Sequence, residues 1–339
     1  MSYASPFTSP LLRAAALALV ACPALAQITQ DDLPFDNQKD RWMSWSVLPV
    51  QPISITARES FLFTLNHQGN HLVALDKANL GIVSEVPLGP GLASVVLHPS
   101  GLELWCVDRV NSCVSVVSKA QGSVLRTIRV GAEPHGLVFS ASGHRAYVSC
   151  SQSNTVDVID TATYSLENSI PIPAKGPRGI ARVGNTIWVA PLLSGNNTAP
   201  RGNPYTSPAD AIEVRNLDEF PALNQLPDRD LFAITISGSP ATDAIDPART
   251  RSALGTNLFN VHVRPGTTDL WIPHTDALNG DVRGERGFIA GQVVRNRIAI
   301  VDTTSNAPAT IVDLDALAPS VEERCGTPTG VAFTSDGSR

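Results

Sequence analysis

Two short Pro-x-Gly segments carry side chains that could bind an anion. Pro134-His135-Gly136 presents an imidazole, and Pro177-Arg178-Gly179 presents a guanidinium later in the chain. Arg pairs with carboxylates and phosphates through two parallel hydrogen bonds, and His changes its charge near neutral pH. His135 and Arg178 are therefore candidates for holding a carboxylate or a phosphate. The alternative is that both are solvated loop residues, or that they hydrogen-bond neighbouring carbonyls.

The remaining histidines do not have the spacing of a local metal site. His67, His71, His262 and His274 form no H-x-H or H-E-x-x-H pattern, so a metal site would have to be assembled from distant segments. The sequence also lacks the nucleophile motifs G-x-S-x-G and S-x-x-K and a Gly-rich phosphate loop. We therefore name no catalytic residue and no metal ligand.

Two cysteines flank a turn. Cys106 and Cys113 lie on either side of Asp108-Arg-Val-Asn111, so they could face each other across one hairpin and form a disulfide. The alternative is that they are two small buried residues in a strand pair. No C-x-x-C or C-x-x-C-H pattern occurs, so we expect no haem attachment site, no zinc ribbon and no other cofactor in this segment.

The N-terminus has the pattern of an export signal. Arg13 precedes the short apolar stretch 14–20, and Ala24-Leu25-Ala26 fits the small-residue pattern of a cleavage site. A second interpretation is a bacterial lipobox, in which Cys22 would become a lipidated N-terminus, although Pro23 directly after it weakens this interpretation. Both interpretations place the mature protein outside the cytoplasm, in the periplasm or the extracellular space.

Composition narrows the classes of partner. The chain of 339 residues is 43% hydrophobic and has a net charge of −6. No cluster of Lys and Arg occurs, which argues against nucleic-acid binding. No stretch of 18 apolar residues occurs, so no transmembrane span is expected. A protein or a small molecule is the expected partner.

Five aromatic residues recur at nearly one interval along the chain. They are Phe63, Trp105, Tyr147, Trp188 and Trp271, and the last interval is about twice as long as the others. A fixed period of about 42 residues is typical of an array of one small unit, and four short strands in that length is the size of one propeller blade. We interpret the long last interval as one enlarged unit.

One segment carries a family resemblance. Tyr147-Val-Ser-Cys-Ser-Gln-Ser-Asn-Thr-Val-Asp-Val-Ile-Asp160 resembles the repeat of YVTN-family β-propeller proteins, which belong to the YncE-like and lactonase-like propeller superfamily. That repeat has a Tyr-Val start, an Asn turn and a V-x-V-I-D strand. Leu104-Trp-Cys-Val-Asp108 and Leu62-Phe-Thr-Leu-Asn66 are looser copies. The resemblance covers about residues 46–339 and implies an all-β fold, a β-propeller of four-stranded blades.

The expected organisation follows from the repeat and the resemblance. About five blades are present with the start of a sixth, and we interpret them as part of a seven- or eight-blade ring whose natural chain continues. The expected segments are a signal peptide at 1–26, a lead-in at 27–45, blades at about 46–91, 92–133, 134–176, 177–258 and 259–327, and a partial blade at 328–339.

The resemblance also implies where a ligand would bind. In propellers of this family, the Pro-x-Gly loops and the turns between second and third strands lie on one face, at the mouth of the central channel. Two long insertions, at about 192–209 and 275–295, fall on the same face. We therefore take His135, Arg178 and His274 as candidate ligand-binding residues at the channel mouth.

The expected function is ligand binding by an exported propeller scaffold, on this loop-elaborated face. One alternative is a propeller enzyme of lactonase or quinoprotein-like type, in which His135 and Arg178 act on a small acid or lactone. Another is the N-terminal half of a c-type cytochrome-containing electron-transfer protein, with haem bound only if the chain continues into a cytochrome domain. Propellers host many activities, so the resemblance specifies the fold better than the function.

Overall fold

The structure is a computed structural model that describes residues 51–54, 60–193, 198–201, 213–216, 229–277, 294–319 and 326–338. All of them belong to the compact unit Leu48–Arg339. The signal segment, Cys22, Cys325 and most of both long insertions lie outside the described residues. Export and lipidation therefore stay predictions. In the described part of the chain, no helix is both long and apolar enough to cross a membrane.

Short antiparallel strands make up nearly all of the regular structure. The bounds, in chain order, are β1 (Ile53–Ser54), β2 (Phe61–Asn66), β3 (His71–Asp76), β4 (Ile82–Pro87), β5 (Leu92–Leu97), β6 (Glu103–Asp108), β7 (Cys113–Ser118), β8 (Ser123–Arg129), β9 (Pro134–Phe139), β10 (Arg145–Cys150), β11 (Thr155–Asp160), β12 (Ser165–Pro171), β13 (Lys175–Val183), β14 (Thr186–Leu193), β15 (Thr198–Arg201), β16 (Glu213–Asn216), β17 (Phe232–Thr235), β18 (Ala244–Ile245), β19 (Asn257–Leu258), β20 (His262–Val263), β21 (Asp269–Ala277), β22 (Val294–Asp302) and β23 (Thr310–Asp313). A 3₁₀ turn at Pro240–Thr242 and a one-turn helix α1 (Leu314–Leu317) accompany them.

The strands group into four-stranded sets in sequence order. Sheet 1 contains β1–β4, sheet 2 contains β5–β8 and sheet 3 contains β9–β12, each with its strands side by side in chain order. The sets β13-β14-β17-β18 and β20-β21-β22-β23 follow, and β19 joins them into one nine-stranded sheet. The first strands of successive sets pack against one another. This is a β-propeller-like all-β architecture, which confirms the all-β class and the four-stranded sets that were expected. The complete propeller, its blade number and its ring closure stay predictions.

The repeat is visible in the backbone. The peptide N–H of Leu88 donates to the carbonyl of Asn70, and the same hydrogen bond recurs from Val130 to Ser112. It recurs again from Ile172 to Asn154, with N···O distances of 2.8, 3.1 and 2.8 Å. The three acceptor residues all adopt left-handed backbone conformations, with φ of 58°, 52° and 55°. Asn tolerates this conformation better than most residues, because its side chain can hydrogen-bond locally.

The repeated aromatic residues pack between neighbouring units, as their repeat position predicts. Trp105 is fully buried, and the edge of Phe139 from sheet 3 meets its ring at a centroid distance of 5.4 Å. Trp271 meets Phe333 in the same way at 5.3 Å. Residues 326–338 thus occupy, beside β20, the place that β9 occupies beside sheet 2, although they form no strand. Such edge-to-face pairs add about 0.5–1.5 kcal/mol to the hydrophobic burial.

The fourth and fifth units are joined, which the sequence did not predict. Leu193 of β14 pairs with Asn257 of β19, and Leu258 of β19 pairs with His274 of β21. Strands β14 and β21 are longer than their counterparts β6 and β10 in sheets 2 and 3. Because their extended ends expose unpaired backbone groups, a two-residue strand can satisfy both.

The disulfide interpretation of Cys106 and Cys113 is wrong for this structure, in which both are free buried thiols. The strand register explains the difference. Cys106 lies opposite Ser115, and Cys113 lies opposite Asp108, so the two cysteines are diagonal neighbours two positions apart. Diagonal neighbours are about 7–8 Å apart, which exceeds the Cα distance that a disulfide spans. The alternative interpretation, two small buried residues, is the one that holds.

A buried carboxylate fastens sheet 3 to the segment that follows β17. Asp243 accepts a hydrogen bond of 2.7 Å from the Tyr147 hydroxyl and one of 2.7 Å from the Ser237 amide. Arg145 approaches the same carboxylate at 3.3 Å, and the Asp243 side chain is fully buried. The burial and the bond to Asp243 raise the pKa of Tyr147 well above its usual range.

We expect Asp243→Ala to lower the free energy of unfolding by about 3–5 kcal/mol, because it removes the carboxylate partner of the partly buried Arg145 guanidinium and of the buried Tyr147 hydroxyl. Tyr147→Phe should cost about 1 kcal/mol, since it removes one hydrogen bond. Urea denaturation measures both changes. Glu85→Ala, on the exposed strand β4, is the control and should change stability by less than about 0.5 kcal/mol. An effect of Asp243→Ala no larger than that of the control would show that Asp243 does not hold sheet 3 to the segment that follows β17.

Candidate functional site

One end of the sheets gathers two kinds of connection. In sheet 2, the Arg109 amide donates to the carbonyl of Gly91 at 3.0 Å. In sheet 3, the Ser151 amide donates to the carbonyl of Glu133 at 2.8 Å. Each bond ties the turn after a second strand to the segment before the first strand. We call this end of the sheets the loop face.

His135 lies on the loop face, at the start of β9, and its side chain is fully buried. Its carbonyl accepts a hydrogen bond from the Ser94 hydroxyl of the neighbouring strand β5. Neither ring nitrogen has a hydrogen-bond partner among the described residues. A buried polar group without a partner costs about 1–3 kcal/mol, so this ring is a place where a bound group would be stabilising.

Arg178 occupies the matching position at the start of β13. Its carbonyl accepts a hydrogen bond of 2.7 Å from the Ser149 hydroxyl, and the same hydroxyl accepts one of 3.0 Å from the Gly136 amide. Ser149 thereby links the two Pro-x-Gly segments. The guanidinium Nε is buried and has no hydrogen-bond partner among the described residues. Burial lowers the pKa of Arg178, while the Glu133 carboxylate acts in the opposite direction.

The electrostatic surroundings of His135 keep its ring neutral. Burial, followed by the charges of Arg178 and Arg109, lowers the pKa of His135 to about 3. At neutral pH the ring therefore has one N–H donor and one lone-pair acceptor. Arg109 also lowers the pKa of His67, after the larger effect of partial burial. The charges of Arg178 and Arg109 thus both act on the His135 ring.

Glu133 completes the group. Its carboxylate lies 3.6 Å from the Arg109 guanidinium, and its side chain is 38% exposed. Its backbone is left-handed, with a φ of 52°, at the place where sheet 2 has Gly91 with a φ of 87°. This conformation costs a non-glycine residue about 1–2 kcal/mol. We call His135, Arg178, Arg109 and Glu133 the anion cluster; with the ring neutral, it carries one net positive charge.

Sequence reasoning found half of the cluster. It named His135 and Arg178 from the Pro-x-Gly pattern and missed Arg109 and Glu133. A signal was available for both, because Glu133 directly precedes Pro134 and Arg109 lies in the turn after β6. That turn was already expected on the same face.

His274 belongs to different surroundings. It is fully buried in β21, where Nδ1 lies 3.1 Å from the Ile272 carbonyl and Nε2 has no hydrogen-bond partner among the described residues. Its pKa is lowered by burial, an effect that the Ile272 carbonyl and Asp276 oppose. The charged groups that affect it, Asp276 and Arg297, are not members of the anion cluster. The placement of His274 with His135 and Arg178 gains no support from these contacts.

A cleft of about 460 Å³ opens beside the turn between β6 and β7. The Asp108 carboxylate in its wall accepts hydrogen bonds of 3.0 Å and 2.8 Å from the amide and side chain of Asn111. Its lining residues are Pro87, Leu88, Gly89, Asp108, Asn111, Cys113, Ser115, Val124, Thr127 and Arg129. The cleft therefore does not include the cluster residues. In the described part of the chain, no group of three or more His, Cys, Asp or Glu residues is arranged to hold a metal ion.

Comparisons with known proteins support the fold. No protein-family model matches the chain, and no curated protein sequence matches it. Kuenenia stuttgartiensis hydrazine synthase is similar in structure, with a TM-score of 0.63 and 23% identity over 86% of this chain and 72% of that chain. A functionally unknown protein from Desulfotomaculum acetoxidans has a TM-score of 0.52 and 12% identity over 78% and 69%.

A third similar structure is a chain of the mitotic checkpoint complex, with a TM-score of 0.51 and 9% identity over 77% of this chain and 65% of that chain. All three sequence identities are low, so the likeness concerns the fold alone. The chain has a β-propeller-like, all-β fold.

Gly136 lets sheet 3 approach β13 closely. A Cβ atom at this position would lie 2.6 Å from the Ile180 Cγ2 and 2.7 Å from the Arg178 carbonyl oxygen. A shift of the Arg178 backbone to make room for the Cβ atom would cost free energy. We therefore expect Gly136→Ala to lower the free energy of unfolding by about 1–3 kcal/mol, as measured by urea denaturation. Gly238→Ala is the control, because a Cβ there would meet nothing within 4 Å. Equal stability of the two variants would contradict the close approach.

A neutral buried His135 predicts a particular dependence of stability on pH. The ordinary pKa of 6.5 applies to the unfolded chain, and the folded value is about 3. The unfolded state therefore binds the proton first, so stability from this group is present above about pH 6.5 and falls as the pH falls toward 3. The loss is at most about 1.4 kcal/mol per pH unit.

We expect His135→Leu to lose less stability than the unaltered protein between pH 6.5 and 4.5, as measured by urea denaturation at several pH values. The leucine should also be tolerated at pH 7.5, because it replaces an unpartnered polar ring with an apolar group. His144→Gln, at an exposed histidine, is the control and should keep the original slope. Parallel losses in the original protein and His135→Leu would show that His135 does not resist protonation.

Proposed function

We propose that the chain is an exported β-propeller scaffold that binds a ligand carrying a carboxylate or phosphate group at the anion cluster of its loop face. The observation that carries this proposal is the fully buried His135 ring, whose two nitrogens have no hydrogen-bond partner among the described residues. Arg178 and Arg109 lie close enough to lower its pKa by their charge. Export is proposed from the N-terminal sequence pattern.

The energetic balance favours opening of the cluster by a ligand. The Arg109–Glu133 pair is long, at 3.6 Å, and partly exposed. Exposed ion pairs of this kind contribute about 0–1 kcal/mol. An unpartnered buried ring costs about 1–3 kcal/mol. A ligand that displaces Glu133 from Arg109 and reaches the ring would therefore gain more than it disrupts.

The Arg109–Glu133 pair is the part of the cluster that a ligand would meet first. Glu133 is the more exposed partner of this pair, with its side chain 38% exposed against 12% for Arg109. Displacement of the carboxylate would free the Arg109 guanidinium, whose planar fork matches a carboxylate or a phosphate. Binding energy would then come chiefly from the two arginines, with His135 as the neutral partner behind them.

Binding is a better assignment than catalysis for these residues. A general acid or base works best when its pKa lies near the operating pH. The pKa of His135, about 3, is far below neutrality, so the ring is a poor base for hydrolysis of a lactone. Hydrazine synthase and the mitotic checkpoint complex both contain chains of similar fold, so the scaffold is compatible with enzymes and with protein assemblies alike.

We expect isothermal titration calorimetry with acetate and with inorganic phosphate to detect binding to the unaltered protein. Arg178→Gln and Arg109→Gln should each weaken it at least about tenfold, since a charge-assisted hydrogen bond contributes about 1.5–3 kcal/mol. Arg182→Gln is a matched control. It removes a cation from the same strand, β13, but from a residue that bonds the Gly184 carbonyl instead.

Equal weakening by all three substitutions would indicate a general charge effect and would contradict the site. Absence of binding by both anions would contradict the proposal as a whole. A panel of lactones and esters tests the enzyme alternative directly. Hydrolysis that the protein supports and His135→Ala abolishes would replace binding with catalysis.

A further inference from the structure

We propose that the cleft beside the turn between β6 and β7 is a second ligand site, which binds a small zwitterion of the amino-acid class. Asp108 binds the ammonium group of the ligand, and Ser115, Thr127 and Arg129 bind its carboxylate. The cleft shares no lining residue with the anion cluster, so the inference does not rest on the proposed function. It is carried by the cleft, by the strand register beneath it and by the side chain that fills the same place in sheet 3.

One face of sheet 2 forms the floor of the cleft. Asp108, Cys113 and Arg129 lie directly opposite one another on β6, β7 and β8. Ser115 and Thr127 form the next row on the same face, because successive side chains of a strand alternate between its faces. Neighbouring strands are about 5 Å apart, so the Cα atoms of Asp108 and Arg129 are about 10 Å apart. A carboxylate and a guanidinium therefore flank a floor of short side chains.

The Asp108 carboxylate is the group that would bind a cation. The residue is only 2% exposed, and it forms no ion pair with a described residue. Its carboxylate accepts hydrogen bonds of 3.0 Å and 2.8 Å from the neutral residue Asn111. A carboxylate has about four acceptor positions, and a buried charge is costly until it is paired. An ammonium group in the cleft supplies the missing opposite charge.

Sheet 3 shows which group fits the other side of the cleft. Asp157 occupies in sheet 3 the place that Ser115 occupies in sheet 2. Ser169, directly opposite Asp157, occupies the place of Thr127. The Asp157 carboxylate accepts hydrogen bonds of 2.6 Å from the Ser169 hydroxyl and 2.6 Å from the Gly131 amide. The repeat therefore places a carboxylate here in sheet 3.

Sheet 2 has the corresponding donors without that carboxylate. Ser115 is only 8% exposed, and neither its hydroxyl nor that of Thr127 makes a hydrogen bond to a described residue. Gly89, whose counterpart in sheet 3 donates to Asp157, also lines the cleft. Arg129 adds a positive charge to these donors. A ligand carboxylate in the place of the Asp157 carboxylate meets all of them.

The charges of the lining favour a zwitterion over an ion of either sign. Asp108 is the acidic residue of the lining, and Arg129 is the basic one. A simple carboxylate is repelled by Asp108, and a simple amine is repelled by Arg129, so each is selected against. The volume of about 460 Å³ leaves room for a side chain on the ligand as well.

Isothermal titration calorimetry with L-alanine, propionate and ethylamine tests the preference. Propionate lacks the amino group of L-alanine, and ethylamine lacks its carboxylate. We expect L-alanine to bind at least about tenfold more tightly than either analogue, because each analogue loses one set of charge-assisted hydrogen bonds and meets a like charge. Equal affinity for the three compounds, or no binding of L-alanine, would overturn the inference.

Ser115→Asp gives sheet 2 the carboxylate that sheet 3 carries at this place. It should weaken binding of L-alanine at least about tenfold, because the new side chain occupies the position of the ligand carboxylate and repels it. Urea denaturation checks that the variant folds. Ser123→Asp adds the same charge at the exposed start of β8 and is the control, with unchanged affinity expected. Unchanged affinity in Ser115→Asp would contradict the placement of the ligand.

Arg129→Gln provides the test if Ser115→Asp does not fold, because Arg129 lies on the exposed outer strand. It should weaken binding of L-alanine about tenfold. Arg126→Gln removes a cation from the same strand, at a residue that does not line the cleft, and should leave the affinity unchanged. Equal weakening by both substitutions indicates a general charge effect and overturns the inference. If Arg129→Gln has no effect, L-alanine binds elsewhere, and the inference fails while the proposed anion site is unaffected.

Discussion

The close packing of successive first strands is the constraint on which the rest of the structure depends. The glycines Gly136 and Gly179 let their strands approach the next strand at backbone distance. A Cβ at Gly136 would lie 2.7 Å from the Arg178 carbonyl oxygen, and one at Gly179 would lie 2.8 Å from the Asn260 Cα. Because the strands meet this closely, the residue before each glycine is held next to its counterpart from the neighbouring sheet. The backbone segments of His135 and Arg178 lie close together for this reason, although they belong to different repeat units.

On the loop face, positive charges and burial act together on the same side chains. The charges of Arg178 and Arg109 both act on the buried His135 ring, and burial and Arg109 both lower the pKa of Arg178. The structure relieves part of this cost with Glu133, a single carboxylate held in a strained backbone conformation. Elsewhere the core contains the fully buried rings of Trp105 and Trp188. Unpartnered buried polar atoms also occur away from this cluster, at Trp188 Nε1, His262 Nε2 and His274 Nε2 among the described residues.

The sequence alone was sufficient for the repeat and for half of the cluster. The repeat period and the alternating strands follow from local patterns that any single unit contains. The ion pair between Arg109 and Glu133 could not be predicted from the sequence, because it depends on how a turn in sheet 2 meets the segment before sheet 3. The strand β19 was not predicted, because a strand of two residues is too short to show an alternating hydrophobic pattern. The pairing of Cys106 with Ser115 required the register, which sequence spacing near a turn leaves one or two positions uncertain.

The repeat explains why side chains of different chemistry occur at the position of His135 in each unit. Ala93, His135 and Arg178 occupy corresponding places, and Asn260 meets Gly179 as Arg178 meets Gly136. The backbone at these places is constrained by strand packing, whereas the side chain differs in each unit: apolar, imidazole, guanidinium and amide. A repeated fold needs the same backbone from every unit but needs no particular side chain there. Variation at a position of fixed geometry is how a repetitive scaffold acquires one asymmetric site, and the site proposed for this chain involves sheets 2 and 3 and the strand β13.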